Sequence, residues 1–98
     1  MRAWNVADKE RRAKLYEMGC CVCLNHLDLY TPTSIHHLDG QTKPGCHQLT
    51  IPLCPRHHQF KDNSKQPQWF AFHDDKTSFE AAYGTEQELL EQVNGLIE

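Results

Sequence analysis

The chain has 98 residues, 39% of them hydrophobic, with 10 Lys and Arg against 13 Asp and Glu and a formal net charge of −3. That length bounds a single domain, residues 1–98, whose centre has few large apolar side chains once the terminal helices have taken theirs, so a bound metal would supply what hydrophobic burial does not. No run of about 20 apolar residues is present and Met1-Arg2-Ala3-Trp4-Asn5 lacks an apolar signal region, which argues against membrane and secretion and for reduced thiols in a cytoplasmic setting.

The first predicted element is a helix over residues 5–18. Asn5 or Asp8 can cap it, Val6, Leu15 and Met18 recur at helical spacing, and Gly19 is a natural stop. Residues 1–19 are thus an N-terminal helix that delivers the chain into Cys20-Cys21-Val22-Cys23. Residues 20–34 are expected to form a knuckle and an irregular loop ending in the breaker Thr31-Pro32-Thr33-Ser34. Ser34 to Leu38 and Leu49 to Leu53 read as two antiparallel strands, joined by a long loop of turn residues from Asp39 to Gly45.

Pro55 suits the first turn of a helix, which the pattern carries through His58, Phe60 and Lys61 to about Asn63. Lys65-Gln66-Pro67 marks a linker, and the aromatic stretch from Gln68 to His73 is expected to pack back on the core. Residues 79–83 look helical and Gly84 stops them. Thr85 and Glu88 form a capping box for a last helix with Leu89, Leu90, Val93 and Ile97 on one face, most simply a structural element. The fold class is α+β: a core over residues 20–65 with flanking helices, the C-terminal extension covering residues 66–98.

Charge is unevenly spread. Residues 1–65 hold nine Lys and Arg against six Asp and Glu, and residues 66–98 hold one against seven. A polyanion surface therefore belongs to the first two thirds, where Arg2, Lys9, Arg11, Arg12 and Lys14 cluster early and Lys43, Arg56, Lys61 and Lys65 surround the histidines. A solvated helix face explains the early cluster equally well.

All five cysteines and six of the seven histidines fall between Cys20 and His58. Cys20 and Cys23 form a C-x2-C pair, and Cys54 with His57 a C-x2-H pair some thirty residues on. Three thiolates and one imidazole make the closed tetrahedral set of structural zinc, which would staple the end of the first helix to the start of the central one. The register is open, because Cys21 can replace Cys20 and Cys46 can compete. Adjacent helical residues diverge by about 100 degrees, so His58 can face a cleft while His57 faces the zinc. His36 and His37, at a strand end before a glycine turn, are expected to lie close to His58, with both side chains able to reach one site.

The order Cys-x2-Cys, His36-His37 and Pro52-Leu53-Cys54-x2-His57-His58 resembles the HNH endonucleases, with their ββα-metal fold and zinc decoration, over about residues 20–62. A longer similarity is to the phage-encoded recombination-enhancement, RecA-dependent branch. It runs through Ile35-His36-His37-Leu38-Asp39-Gly40, then His47 to His58, then His73-Asp74-Asp75-Lys76, Phe79, Tyr83-Gly84 and Leu89-Leu90. The resemblance implies a nuclease in which His37 is the general base and His36 and His58 hold a catalytic Mg2+ or Mn2+. Ni2+ or Zn2+ also suits such imidazole donors in vitro. It implies DNA as substrate, a recombinase filament as the partner that presents it, and the cytoplasm of a bacterial host as the setting.

The family's central Asn has no counterpart. His47 stands nearest, either structurally or touching phosphate. The third ligand is His73 or Asp62, with His73 favoured by the phage branch. The competing reading is a zinc-stapled binding module without activity, for which the missing Asn and the acidic C-terminal third speak. A zinc-finger regulator fits less well, since no helix clusters the basic and amide side chains of base readout.

Overall fold

Asn5 opens the first helix, α1 (Val6–Met18), through a reciprocal capping box: its side chain accepts from the Asp8 amide at 2.7 Å, and the Asp8 carboxylate accepts from the Asn5 amide at 3.0 Å. The computed structural model describes residues 2–59 and 69–97. The inward face of α1 consists of Asp8, Arg11 and Leu15, at steps of three and four, whereas Val6, expected on that face, is 72% exposed. Leu15 is the one fully buried apolar side chain of this helix, with Met18 partly buried against the core beside it. The other buried anchors are polar.

Gly19 ends α1 at φ 75°, and a Cβ there would lie 2.7 Å from the Thr31 carbonyl oxygen, so neither the turn nor the close approach of residues 30–31 leaves room for a side chain. The knuckle is more ordered than expected. A π-helical turn, Cys23–Leu27, follows Cys20 and Cys21 and ends at Asp28 in the left-handed conformation, φ 53°.

Strands β1 (Ser34–His37) and β2 (Thr50–Leu53) pair antiparallel, with Ser34 opposite Leu53 and His37 opposite Thr50. The Leu38 amide bonds the Leu49 carbonyl at 3.0 Å. By ladder alternation the pairs 36–51 and 34–53 are then hydrogen-bonded and 35–52 and 37–50 are not. Pro52 therefore costs the ladder no bond, and the Thr50 carbonyl points away from β1. A 3-10 turn, Cys46–Gln48, precedes β2.

Helix α2 (Pro55–His58) begins at once, with Cys54 as its N-cap and Pro in its first turn. Its expected continuation through Phe60, Lys61 and Asn63, and the linker at Lys65-Gln66-Pro67, lie outside the described residues. The chain then packs back as expected: the amides of Phe72 and His73 donate to the carbonyls of His57 and His58, both at 2.8 Å. Helices α3 (Lys76–Tyr83) and α4 (Glu86–Ile97) follow, the former capped by Asp75 and the latter opened by the Thr85–Glu88 box.

Among the described residues the architecture is thus α+β, four α-helices around one two-stranded sheet. The core joins Leu15, Val22, Ile51, Leu53, Phe79, Leu89, Leu90 and Val93 with four cysteines, and each large side chain fully buried contributes about 1.5–3 kcal/mol. None of the described helices is long and apolar enough to cross a membrane.

Candidate functional site

The end of α1 and the start of α2 meet in a buried cluster of Cys20, Cys23, Cys54 and His57. The His57 Nδ1 lies 3.6, 3.4 and 3.3 Å from the Sγ atoms of Cys20, Cys23 and Cys54, and the last two sulfurs are 3.7 Å apart. A tetrahedral zinc with the usual bond lengths has S to S edges of about 3.8 Å and S to N edges of about 3.6 Å, so the donors stand where one ion would want them. All five cysteines are free thiols.

The surroundings support the same use. The hydrogen bond with Cys54, then burial, pushes the Cys20 thiol up, and burial raises Cys23, whereas the Cys20 hydrogen bond and His57 hold Cys54 well below the usual thiol range. Without a cation the pocket therefore favours one thiolate among protonated thiols, and a dication at its centre reverses that preference. This Cys3His cluster could bind a metal such as zinc. Trp69 stacks on the His57 ring at 5.1 Å and Tyr83 meets it edge-on at 5.4 Å, closing the pocket. Cys20 rather than Cys21 belongs to the cluster. Cys21 is buried apart from it, with its thiol pushed up to about 12 by burial, and Cys46 lies at the 3-10 turn.

A second group, His36, His58 and His73, has ring nitrogens all within 4.8 Å of one another. His36 comes from β1, His58 from α2 and His73 from the returning segment, which its backbone bond to the His58 carbonyl holds in place. His36 is buried, His58 half-buried and His73 exposed, so the group opens to solvent on one side. Burial lowers His36 against the opposing pull of Glu86, and burial with the neighbouring His36 and His73 brings His58 down to about 4. Both rings are therefore neutral at physiological pH, the form that binds a metal. Asp62, the other candidate third ligand, lies outside the described residues.

His37 does not share that site, against the expectation that both strand histidines reach it. The strand alternates: Ser34 and His36 face α2, and His37 faces the α1 side. There its Nε2 lies 2.9 Å from the His47 Nδ1, and the His47 Nε2 lies 2.7 Å from the Arg2 carbonyl. A carbonyl only accepts, so His47 carries its proton on Nε2. Where the His47 Nδ1 accepts, His37 donates from Nε2 and leaves Nδ1 bare. Trp4 stacks on the His47 ring at 3.8 Å, and the Arg12 guanidinium lies 4.6 Å from the Trp4 ring centre. Burial, then His47 and His36, lowers His37 below the usual imidazole range.

A family model described as "Recombination enhancement, RecA-dependent nuclease" matches residues 5–98. The chain belongs to this family. The match covers α1 through α4, so the RecA-dependent nuclease signature includes the C-terminal helices along with the histidine and cysteine segments.

Four participants escaped the sequence reading: Ser34, Glu86, Trp4 and the Arg2 carbonyl. Ser34 follows from period two, since it shares a face with His36. The others come from segments distant in the chain and carry no local signal. Arg11, placed in the basic cluster by its charge, is buried and donates to Thr50 and Asn94 instead.

Proposed function

We propose that this RecA-dependent nuclease is a metal-dependent HNH-type endonuclease, phage-encoded, that hydrolyses DNA phosphodiester bonds during recombination. In this reading residues 1–98 are one domain, residues 20–65 are its ββα-metal core, and it works in the cytoplasm of a bacterial host. The observation that carries it is the convergence of His36, His58 and His73 beside a separately held His37.

The strand, strand and short helix supply the scaffold, and Cys20, Cys23, Cys54 and His57 staple it through zinc. His36, His58 and His73 hold one divalent cation, Mg2+ or Mn2+, which when bound neutralises charge developing on the scissile phosphate and the leaving 3′-oxygen. His37 is the general base. Its bare Nδ1 takes a proton from the attacking water, a task for a neutral imidazole. His47 is a positioning residue that fixes the His37 tautomer through the Arg2 carbonyl, taking the place of the family's Asn without touching phosphate. Exposed Lys9 and Lys43, with Arg2, grip backbone phosphates, so binding should fall steeply with salt. A weak basic rim suits DNA presented in a RecA filament, where the partner supplies affinity that a chain of net charge −3 lacks.

The deciding experiment is cleavage of plasmid, single-stranded DNA and filament-bound DNA over a panel of divalent cations, wild type beside His37→Ala. Cation-dependent cleavage lost in His37→Ala supports the reading. A folded, zinc-loaded wild type inert on every substrate, or an undiminished His37→Ala, overturns it in favour of a binding module.

A further inference from the structure

The imidazole site has a second layer of partners that selects the protonation pattern of its ligands. The Ser34 hydroxyl donates to the Leu53 carbonyl at 2.6 Å, so its oxygen is left to accept from the His58 Nδ1–H at 2.9 Å. His58 therefore turns a bare Nε2 towards His36. On the other side, the His36 Nε2 lies 2.7 Å from the Glu86 carboxylate, which can only accept, so that nitrogen carries the proton and Nδ1 is bare.

The two bare nitrogens face each other at 3.2 Å. With both rings neutral and these bonds kept no proton lies between them; a hydrogen bond there would need His36 to give up its bond to Glu86, Ser34 to turn its hydroxyl from Leu53 to the His58 Nδ1, or His36 to take up a second proton. That spacing is also the edge between neighbouring nitrogens on one cation, about 3.0–3.4 Å for bonds near 2.1 Å at angles of 90 to 109 degrees. Two lone pairs held face to face are satisfied by a cation, in the place of the proton that the Ser34 and Glu86 bonds draw to the far side of each ring.

Resting on the nuclease reading above, we propose that Glu86, at the first position of α4, is a positioning residue of the imidazole metal site, holding the tautomer and ring orientation of His36 from outside the ligand set. Fifty residues separate the two in sequence. The carboxylate is fixed by its helix: the Thr85–Glu88 box sets the start of α4, Asn94 accepts from Arg11 at 2.7 Å, and Gln92 accepts from Asn25 at 2.8 Å. The C-terminal helix, expected to be structural only, thus becomes part of the metal site. Imidazole ligands are held in the same way at many metal centres, where loss of the outer carboxylate weakens metal binding 10- to 100-fold.

The test titrates Mn2+, which does not compete for the thiolate cluster, into zinc-loaded protein and reads free Mn2+ by EPR. Glu86→Ala is expected to raise the Mn2+ Kd about 10- to 100-fold, and Glu86→Gln less, because its amide oxygen still accepts from Nε2–H. Zinc content and helicity should match wild type in both variants. Long-range 1H–15N spectra of the imidazoles, recorded without Mn2+, should show His36 as the Nε2–H tautomer in wild type and as a mixture in Glu86→Ala. A Kd within twofold of wild type with the tautomer retained overturns the role of Glu86. A wild type that takes up no Mn2+ overturns the nuclease reading and the metal-site role that rests on it, and the imidazole spectra then decide only whether Glu86 holds the His36 ring: a tautomer unchanged in Glu86→Ala overturns that hold, and a lost one supports it.

Discussion

Arg11→Met separates a structural arginine from a DNA-gripping one. The Arg11 guanidinium donates from Nη2 to the Thr50 carbonyl at 2.6 Å, from Nε to the Thr50 hydroxyl at 3.0 Å and from Nη1 to Asn94 at 2.7 Å, tying α1 to β2 and α4. Thr50 is 1% exposed and sits at a non-hydrogen-bonded ladder position, so its carbonyl, turned from β1, depends on Arg11. In the variant Asn94 can turn to water, and the Thr50 hydroxyl keeps its bond to the His47 carbonyl at 3.0 Å. The principal penalty is a buried carbonyl left unsatisfied, about 1–3 kcal/mol, to which loss of the bond to the hydroxyl adds roughly 1 kcal/mol. Methionine retains most of the packing.

A destabilisation of about 2–4 kcal/mol lowers the melting temperature of a chain this size by roughly 10–25 °C. Thermal and urea unfolding of zinc-loaded protein measure it directly, and Arg11→Lys should fall only slightly short of Met, since one ammonium does not span three acceptors. The salt dependence of DNA binding should keep its slope in Arg11→Met at a temperature where the variant is folded. A melting temperature within 2 °C of wild type, together with a salt slope reduced by about one, would refute the strut and return Arg11 to the phosphate-binding surface.

Three further outcomes follow from the two clusters. Purified protein should carry one zinc per chain and unfold on strong chelation, with Cys20→Ala losing the zinc and Cys21→Ala keeping it; metal content and circular dichroism decide. His47→Ala should cut cleavage by about 10² while leaving zinc and Mn2+ binding intact, against near-complete loss for His37→Ala, and equal Mn2+ weakening in His47→Ala would place it at the wrong site. Because burial, His47 and His36 depress His37, the base stays unprotonated further into acid than a free imidazole. At saturating cation the cleavage rate should therefore rise with pH, bend below 6.5 and stay flat through 7 to 8; a bend above 7 would contradict the assigned environment.

Local signals carried most of the elements. Asn5 with Asp8, Gly19, Pro55, Gly84 and the Thr85–Glu88 box are residues whose backbone chemistry marks a boundary without help from the rest of the chain, and each stands where the structure starts or stops a helix. The Cys3His cluster was legible too, because C-x2-C and C-x2-H spacings are themselves statements about geometry. Burial was not legible where polarity misled. Val6, apolar and at helical spacing with Leu15, is exposed, and Arg11, one of the early basic cluster, is buried, because tertiary contacts rather than polarity decide both. Glu86 was invisible for a different reason: its partner is 50 residues away, and only the docking of α4 brings them together.

The division of labour between His57 and His58 follows from the shortness of α2. Four helical residues cannot hold themselves together in water, since nucleation alone outweighs what so few hydrogen bonds return. The helix is therefore fixed from outside on both flanks. Cys54 and His57 tie it to the end of α1, and its last carbonyls accept from Phe72 and His73, which brings the third imidazole to His58. A rotation of α2 that improved one cluster would spoil the other, because their histidines are consecutive and point about 100 degrees apart. The Cys3His cluster thus does more than add stability to a small core. It sets the angle at which His58 meets His36, and through the returning backbone it also sets where His73 arrives.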